Sequence, residues 1–189
     1  MIKTLETNAC YSPSKRSANW IKLKKDYLEN SSLGDSLDLA VIGANYGSGK
    51  RKGLFGAFLV ASYNEDSGLL EALCLVGTGF SEKQLNDFHE KLRARVTQQR
   101  PEDYVVHRNF KIDVWFERGE VWEIKGADLQ VSPVYKCAFE RLNQNGRGLG
   151  LRFPRFVRER GDKGVEQASR SQQIEQMYWD QNVVKKRKN

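Results

Sequence analysis

Histidine is scarce in this chain: His89 and His107 are the only two among 189 residues. Two histidines are too few for a histidine-based metal cluster, and no catalytic triad is assigned to them. Cysteine is scarce as well. Cys10, Cys74 and Cys137 are odd in number, far apart and form no Cys-x-x-Cys. That argues against a disulfide framework or a zinc site and for a reducing compartment. No apolar run approaches the roughly 20 residues of a membrane-spanning helix. The opening MIKTLETNAC lacks the apolar stretch of a secretion signal, and no repeat or low-complexity linker interrupts the chain. Acidic residues fall short of basic ones, 24 against 31, leaving a formal net charge of +7. An intracellular protein with a polyanionic partner, nucleic acid or an acidic membrane surface, is expected.

What is present reads mainly as short strands. NWIKLKKDYL (19–28) alternates Ile21 and Leu23 with Lys22 and Lys24, the period of a half-buried strand. On this stretch alone, lysines guarding a sheet edge are the simplest explanation. Further strands are expected over 36–44, 54–63, 70–79, 111–116, 120–129 and 149–160, with breaks at Gly47-Ser48-Gly49, Asn64–Gly68, Arg118-Gly119 and Asn145-Gly146. One helix interrupts them. Ser81-Glu82-Lys83-Gln84 is a capping-box pattern, Phe80 can staple onto Leu85, and Leu85, Phe88, Leu92 and Val96 recur at helical spacing. A second helix is expected over roughly 166–184, with Ile174, Met177 and Tyr178 as its apolar stripe, ending in the basic run Lys185–Lys188. The fold class is therefore mainly β: an OB-fold barrel with one inserted helix and a C-terminal helix.

Three stretches carry candidate chemistry. GANYGSGKRK (43–52) is not a phosphate loop, because Ala44 stands at the first glycine position and Arg51 at the Ser/Thr position. It reads as a glycine-rich hairpin presenting Lys50, Arg51 and Lys52, either to solvent or to phosphates. LRFPRFVRERGDK (151–163) alternates Arg152 and Arg155 with Phe153 and Phe156. One reading buries one aromatic face; the other sets arginines on phosphates and a phenylalanine against base steps in a minor groove. Pro154 favours an edge or bulge over a central strand. In VWEIKGADLQVSPVY (121–135), Trp122, Ile124, Val131 and Val134 are assigned to the core.

Taken together, NWIKLKKDYL, LDLAVIGANYGSGKRKG, GTGFS, VWEIKGADLQVSP and LRFPRFVRERGDK, in this order and spacing, resemble the C-terminal part of eukaryotic ATP-dependent DNA ligases of the replicative type. The resemblance covers essentially residues 1–170. It implies that 1–26 are the last strands of a nucleotidyltransferase domain, 27–165 an OB-fold domain, and 166–189 a C-terminal helix and basic tail. The complete enzyme would use ATP and Mg2+ to seal nicks through enzyme–adenylate and DNA–adenylate intermediates.

The same resemblance assigns residues. Lys3, Lys22, Lys24, Arg158, Arg160 and Lys163 would contact the nucleotide; fixed cations stabilise the charge that gathers in phosphoryl transfer. Arg152 and Phe153 match positions that face the DNA minor groove, and Asp26 would lie at the hinge between domains; the residue patterns described above add Lys50, Arg51, Lys52 and Arg155 as candidate DNA contacts. No Lys-x-Asp-Gly string occurs, so no catalytic nucleophile is assigned, and no metal ligand either. Met1-Ile2-Lys3 resembles the end of a family motif whose glutamate would precede it, so Met1 is read as an internal methionine of a longer ligase. The implied partners are nicked duplex DNA and the rest of the ligase chain, with no membrane, a monomeric state and a nuclear setting. A stand-alone, non-catalytic OB-fold module that binds DNA is the alternative.

Overall fold

The longest strand forms where apolar residues are covered on both faces. The computed structural model describes residues 2–7, 9–11, 13–15, 17, 19–21, 35–142 and 145–181. Within β3 (Leu37–Tyr46), Leu37, Leu39 and Val41 enter one core, while Ala40 and Ile42 enter another behind the sheet. Strands buried on both faces read as continuous apolar runs, which is why LDLAVIGA shows no alternation. β4 (Phe55–Tyr63) and β5 (Leu70–Val76) follow the same rule.

The remaining elements are short. β1 (Ile2–Lys3) pairs with β2 (Trp20–Ile21) as a separate hairpin. α1 (Glu82–Arg93) follows β5, then β6 (Val96–Thr97), β7 (Tyr104–Val105), β8 (Val114–Phe116) and β9 (Val121–Lys125). β10 (Asp128–Ser132), β11 (Gly148–Arg152), β12 (Arg155–Glu159) and α2 (Ser171–Asp180) complete the chain. The main sheet has the order β12-β9-β3-β4-β5-β7, with β8 also on β3 and β6 on β8. The Phe156 amide donates to the Thr78 carbonyl at 2.9 Å. The β12 edge thus returns to the residues just beyond β5, and the sheet closes into a barrel of the expected OB-fold type.

α1 starts where its capping box demands. Ser81 Oγ accepts from the Gln84 amide and Gln84 Oε1 accepts from the Ser81 amide, so two orphan donors are satisfied. Its Leu85, Phe88 and Leu92 close the barrel over an aromatic cluster in which Phe88 lies 4.5 Å and Phe58 4.8 Å from Trp122. Val96 departs from the helical spacing: it belongs to β6 and is exposed. Val134, assigned to the core from its apolar character, is also exposed, because it follows the turn at Ser132-Pro133; Trp122 and Ile124 are buried.

α2 is shorter than its pattern, since residues 165–167 form a separate 3-10 turn. The tail 185–188 lies outside the described residues. Ile174 is fully buried in the same core as Trp122 and Phe156. Just past the helix, the Gln181 side chain accepts from the Leu129 amide at 2.7 Å and donates to its carbonyl at 3.0 Å. One side-chain amide thereby occupies both backbone groups of Leu129 in β10, as a neighbouring strand would.

Cys74 and Cys137 are buried and Cys10 is exposed, with no disulfide among them. Burial pushes the Cys74 and Cys137 thiols well above their ordinary range, so neither forms a thiolate at neutral pH. A thiol reagent is expected to modify Cys10 alone in the native chain and all three after denaturation. Peptide mapping checks this; native labelling of Cys74 at the rate of Cys10 would show that the barrel opens.

Candidate nucleic-acid interface and phosphate cluster

Two strand predictions, 120–129 and 149–160, turn out to be one long two-stranded ribbon with a kink in it. β9 pairs with β12 and β10 with β11, both antiparallel. Lys125 faces Arg155 and Asp128 faces Arg152, so Gly126-Ala127 and Phe153-Pro154 bulge opposite each other. Pro154 cannot donate to a ladder, which accounts for the break on its side. On the other side Gly126 is needed for space: a Cβ there would sit 2.4 Å from Leu151 Cδ1.

The kink divides the two phenylalanines. Phe156 is buried and stacks on Phe80 at 4.6 Å, the core role. Phe153 is 42% exposed and adopts a φ of +51°, left-handed backbone that a bulky residue rarely takes. Such strain persists only where the surroundings hold it, and it clusters at functional positions. Arg152 is aimed here too. Its Nη1 bonds both Asp128 oxygens, at 3.3 and 3.1 Å, and its guanidinium lies 4.9 Å from the Phe153 ring centre.

The basic hairpin meets this kink through the loop after β5. Lys50, Arg51 and Lys52 occupy a 3-10 turn and its end between β3 and β4. Arg51 Nη1 donates to the Gly77 carbonyl at 3.1 Å, and Thr78 Oγ1 donates to the Pro154 carbonyl at 2.9 Å. Gly79 has a φ of +96°, and a Cβ there would stand 2.3 Å from the Phe156 carbonyl oxygen. The six residues expected to face DNA therefore lie on two segments held against one loop, Gly77–Gly79. That loop lies in GTGFS, one of the resembling stretches, but no role is assigned to it from the sequence; its signal is the pair of glycines.

The expected nucleotide contacts fare unevenly. Lys22, Lys24 and Asp26 lie outside the described residues. Lys3 is exposed, with its Nζ 4.2 Å from the centre of the Trp20 ring, a cation–π contact. Arg158, Arg160 and Lys163 gather around carboxylates that sequence reading overlooked. Arg160 forks Nε and Nη2 onto Asp162 and turns Nη1 onto Asp38, at 2.8 Å to Oδ2. Lys163 Nζ meets the same Asp38 oxygen at 2.6 Å, and Ser169 clamps the Asp38 backbone from both sides. Arg158 Nε meets Glu123, which also accepts from Ser36 Oγ.

Exposure separates these three cations. The Arg160 side chain is 15% exposed and its fork is taken up, whereas Lys163 is 30% and Arg158 63% exposed. Hydrogen bonds from Ser36 first and Arg158 second hold the Glu123 carboxyl below its usual range, and Arg160 does the same for Asp162. Those carboxylates stay charged at neutral pH and keep the cations in place. An open cleft of about 630 Å3 borders Lys163, Asp38, Ser36 and Ser169. The signal for Asp38 was present: it is the one carboxylate inside the apolar run 36–44.

Among the described residues no cluster of three acidic, histidine or cysteine side chains stands ready for a metal ion, and no helix is long and apolar enough to cross a membrane.

The family model described as ATP dependent DNA ligase C terminal region matches residues 51–163, more than half of the chain. DNA ligase 1 of Saccharomyces cerevisiae is 47% identical over 183 residues, covering 96% of this chain and 24% of that protein. DNA ligase 1 of Dictyostelium discoideum is 45% identical, covering 97% and 15%. The chain thus spans a quarter or less of the length of these relatives. The crystal structure of the ligase domain of M. tuberculosis LigD superposes with a TM-score of 0.55 over 72% of this chain and 38% of that one, at 23% identity, a likeness of fold. With the kinked ribbon and the Gly77–Gly79 loop both inside the matched segment, the chain belongs to the ATP-dependent DNA ligase family, as its C-terminal region.

Proposed function

We propose that this chain is the DNA-clasping and phosphate-contacting end of an ATP-dependent ligase that seals nicks in duplex DNA. The observation that carries the reading is that the Arg152–Arg155 kink and the Lys50–Lys52 turn are both tied to one loop, Gly77–Gly79. Phosphate contacts position such a protein on a duplex, and an exposed apolar ring set among cations suits a groove. In this reading residues 1–26 belong to a nucleotidyltransferase domain, 27–165 form the OB domain and 166–189 its helical cover and tail. Asp26 marks the hinge. A monomeric state and a nuclear setting belong to the same proposal.

ATP supplies the adenylyl group in the complete enzyme. Lys163 and Arg158, the more exposed cations of the Asp38–Glu123 cluster, would meet its phosphates, with Lys3, Lys22 and Lys24 contributing from the adenylation side. Arg160 holds Asp38 and Asp162 in register for that contact. The described residues offer Mg2+ no cluster of their own. The same chain holds no Lys-x-Asp-Gly, and covalent catalysis needs that lysine. Incubated with radiolabelled ATP and Mg2+, the purified chain is expected to take up no covalent label yet to bind nicked duplex in a salt-sensitive way. A stable lysine-linked AMP would overturn this reading.

A further inference from the structure

We propose that Lys125 and Arg155 form a two-cation clamp for one backbone phosphate of duplex DNA, directly beside Phe153. The inference deepens the DNA-facing reading above and rests on it.

The ribbon of β9–β12 carries two cations left over from its ion pairs. Its carboxylates are all engaged elsewhere. Glu120 meets Lys91 and Arg95, Glu159 meets Lys91, Glu123 meets Arg158, and Asp128 meets Arg152. Lys125 and Arg155 stand opposite each other across β9 and β12, and both are exposed. Both point outward, since their neighbours Ile124 and Phe156 are buried. Among the described residues neither reaches a carboxylate within 4.0 Å, by contrast with the pairs on either side of them. Directly opposite residues on one face have Cβ atoms about 5 Å apart, and like charges in that position destabilise the pair. An anion shared between the two relieves that repulsion.

The arrangement is also built to hold still. Arg155 lies against the bare Cα of Gly79: its Cγ is 2.8 Å from where a Cβ would stand. The carbonyl just before it is tied to Thr78 Oγ1. The next residues along the ribbon are the bulged Phe153 and Pro154, so an anion between Lys125 and Arg155 sits one step from the exposed ring. A backbone phosphate of the duplex whose groove meets Phe153 is the ligand this geometry fits, and direct base contacts are not required.

The test uses the 189-residue chain, a fluorescein-labelled nicked duplex and a salt series read by anisotropy, with melting curves recorded in the absence of DNA. Lys125→Gln and Arg155→Gln should each weaken binding by roughly three- to tenfold, alike for nicked and intact duplexes of any sequence. The double variant should lose less than the product of the two factors, and its salt slope should be shallower by about one. At low salt Lys125→Gln should melt no lower than the parent chain, because it removes a repulsion. Unchanged affinity and slope in Lys125→Gln, while Lys50→Gln weakens binding, would overturn the clamp and leave the DNA-facing surface standing. Loss of binding together with a lowered melting point would mark Lys125 as structural and also overturn it. A parent chain with no salt-dependent duplex binding would remove the underlying surface, and the clamp with it.

Discussion

Gly79→Ala should lower the stability of this chain by about 3–5 kcal/mol, at the upper end of what single substitutions do. Two costs combine. A residue with a Cβ at a φ of +96° gives up roughly 1–2 kcal/mol in backbone strain. The new methyl would also stand 2.3 Å from the Phe156 carbonyl oxygen and 2.7 Å from its nitrogen, so backbone has to move. Movement there breaks the Phe156–Thr78 hydrogen bond that closes the barrel and strains the Thr78–Pro154 contact, each worth about 1 kcal/mol. For a chain of this size the melting midpoint should fall by roughly 10 °C. Gly79→Asn separates the two causes: asparagine tolerates left-handed backbone but brings the same Cβ, so it should fare little better. A circular-dichroism melt within about 2 °C of the parent for either variant would mean that the loop is not the seam described here.

The seam explains which parts of the molecule the sequence disclosed. Local signals were legible. Ser81 and Gln84 specify a helix start through bonds three residues apart, and α1 begins there. The long apolar runs became β3 and β4 within two residues of the expected bounds, and β5, which ends at Val76, three residues before the expected 79. Strand interruptions were harder. Pro154 announced a break, but nothing local to Gly126 announced the matching bulge on the partner strand, because that depends on register across the ribbon. The arginine cluster was read as a set of cations looking for a phosphate. Its geometry is set by Asp38, 122 positions from Arg160 in sequence, a contact no local pattern encodes. Val96 and Val134 failed for a related reason: apolar character predicts burial only where another element arrives to cover it.

Arg152, Arg155, Arg158 and Arg160 lie on a single nine-residue stretch, yet the fold treats them differently. Arg152, Arg158 and Arg160 are each fixed by a carboxylate, which orients them and removes part of their charge from the surface field. Arg155, with Lys125 opposite it, meets no carboxylate within 4.0 Å among the described residues. A ribbon that carries both kinds combines oriented donors with net attraction, and the second term is the one that salt screens.

Phe153 offers the sharpest separation of stability from function. Phe153→Gly should change stability by no more than about 1 kcal/mol. Relief of the left-handed backbone, roughly 1–2 kcal/mol, is offset by the added freedom of glycine in the unfolded chain. The lost contact between its ring and the Arg152 guanidinium costs about 0.5–1 kcal/mol more. A buried phenylalanine would behave otherwise, losing roughly 3–5 kcal/mol on truncation, as is expected of Phe156, which is 3% exposed in the aromatic cluster. Duplex binding by Phe153→Gly should fall about tenfold, the scale of one base–aromatic contact. In the complete ligase, Phe153→Ala should slow nick sealing while leaving adenylation nearly intact, because in the proposed reading the ring meets DNA whereas the Asp38–Glu123 cluster meets the nucleotide. Melting curves, anisotropy titrations and separate assays of the two steps decide it. A stability loss comparable to that of Phe156→Ala, or equal loss of adenylation and sealing, would return Phe153 to the core and remove the strained turn from the binding surface.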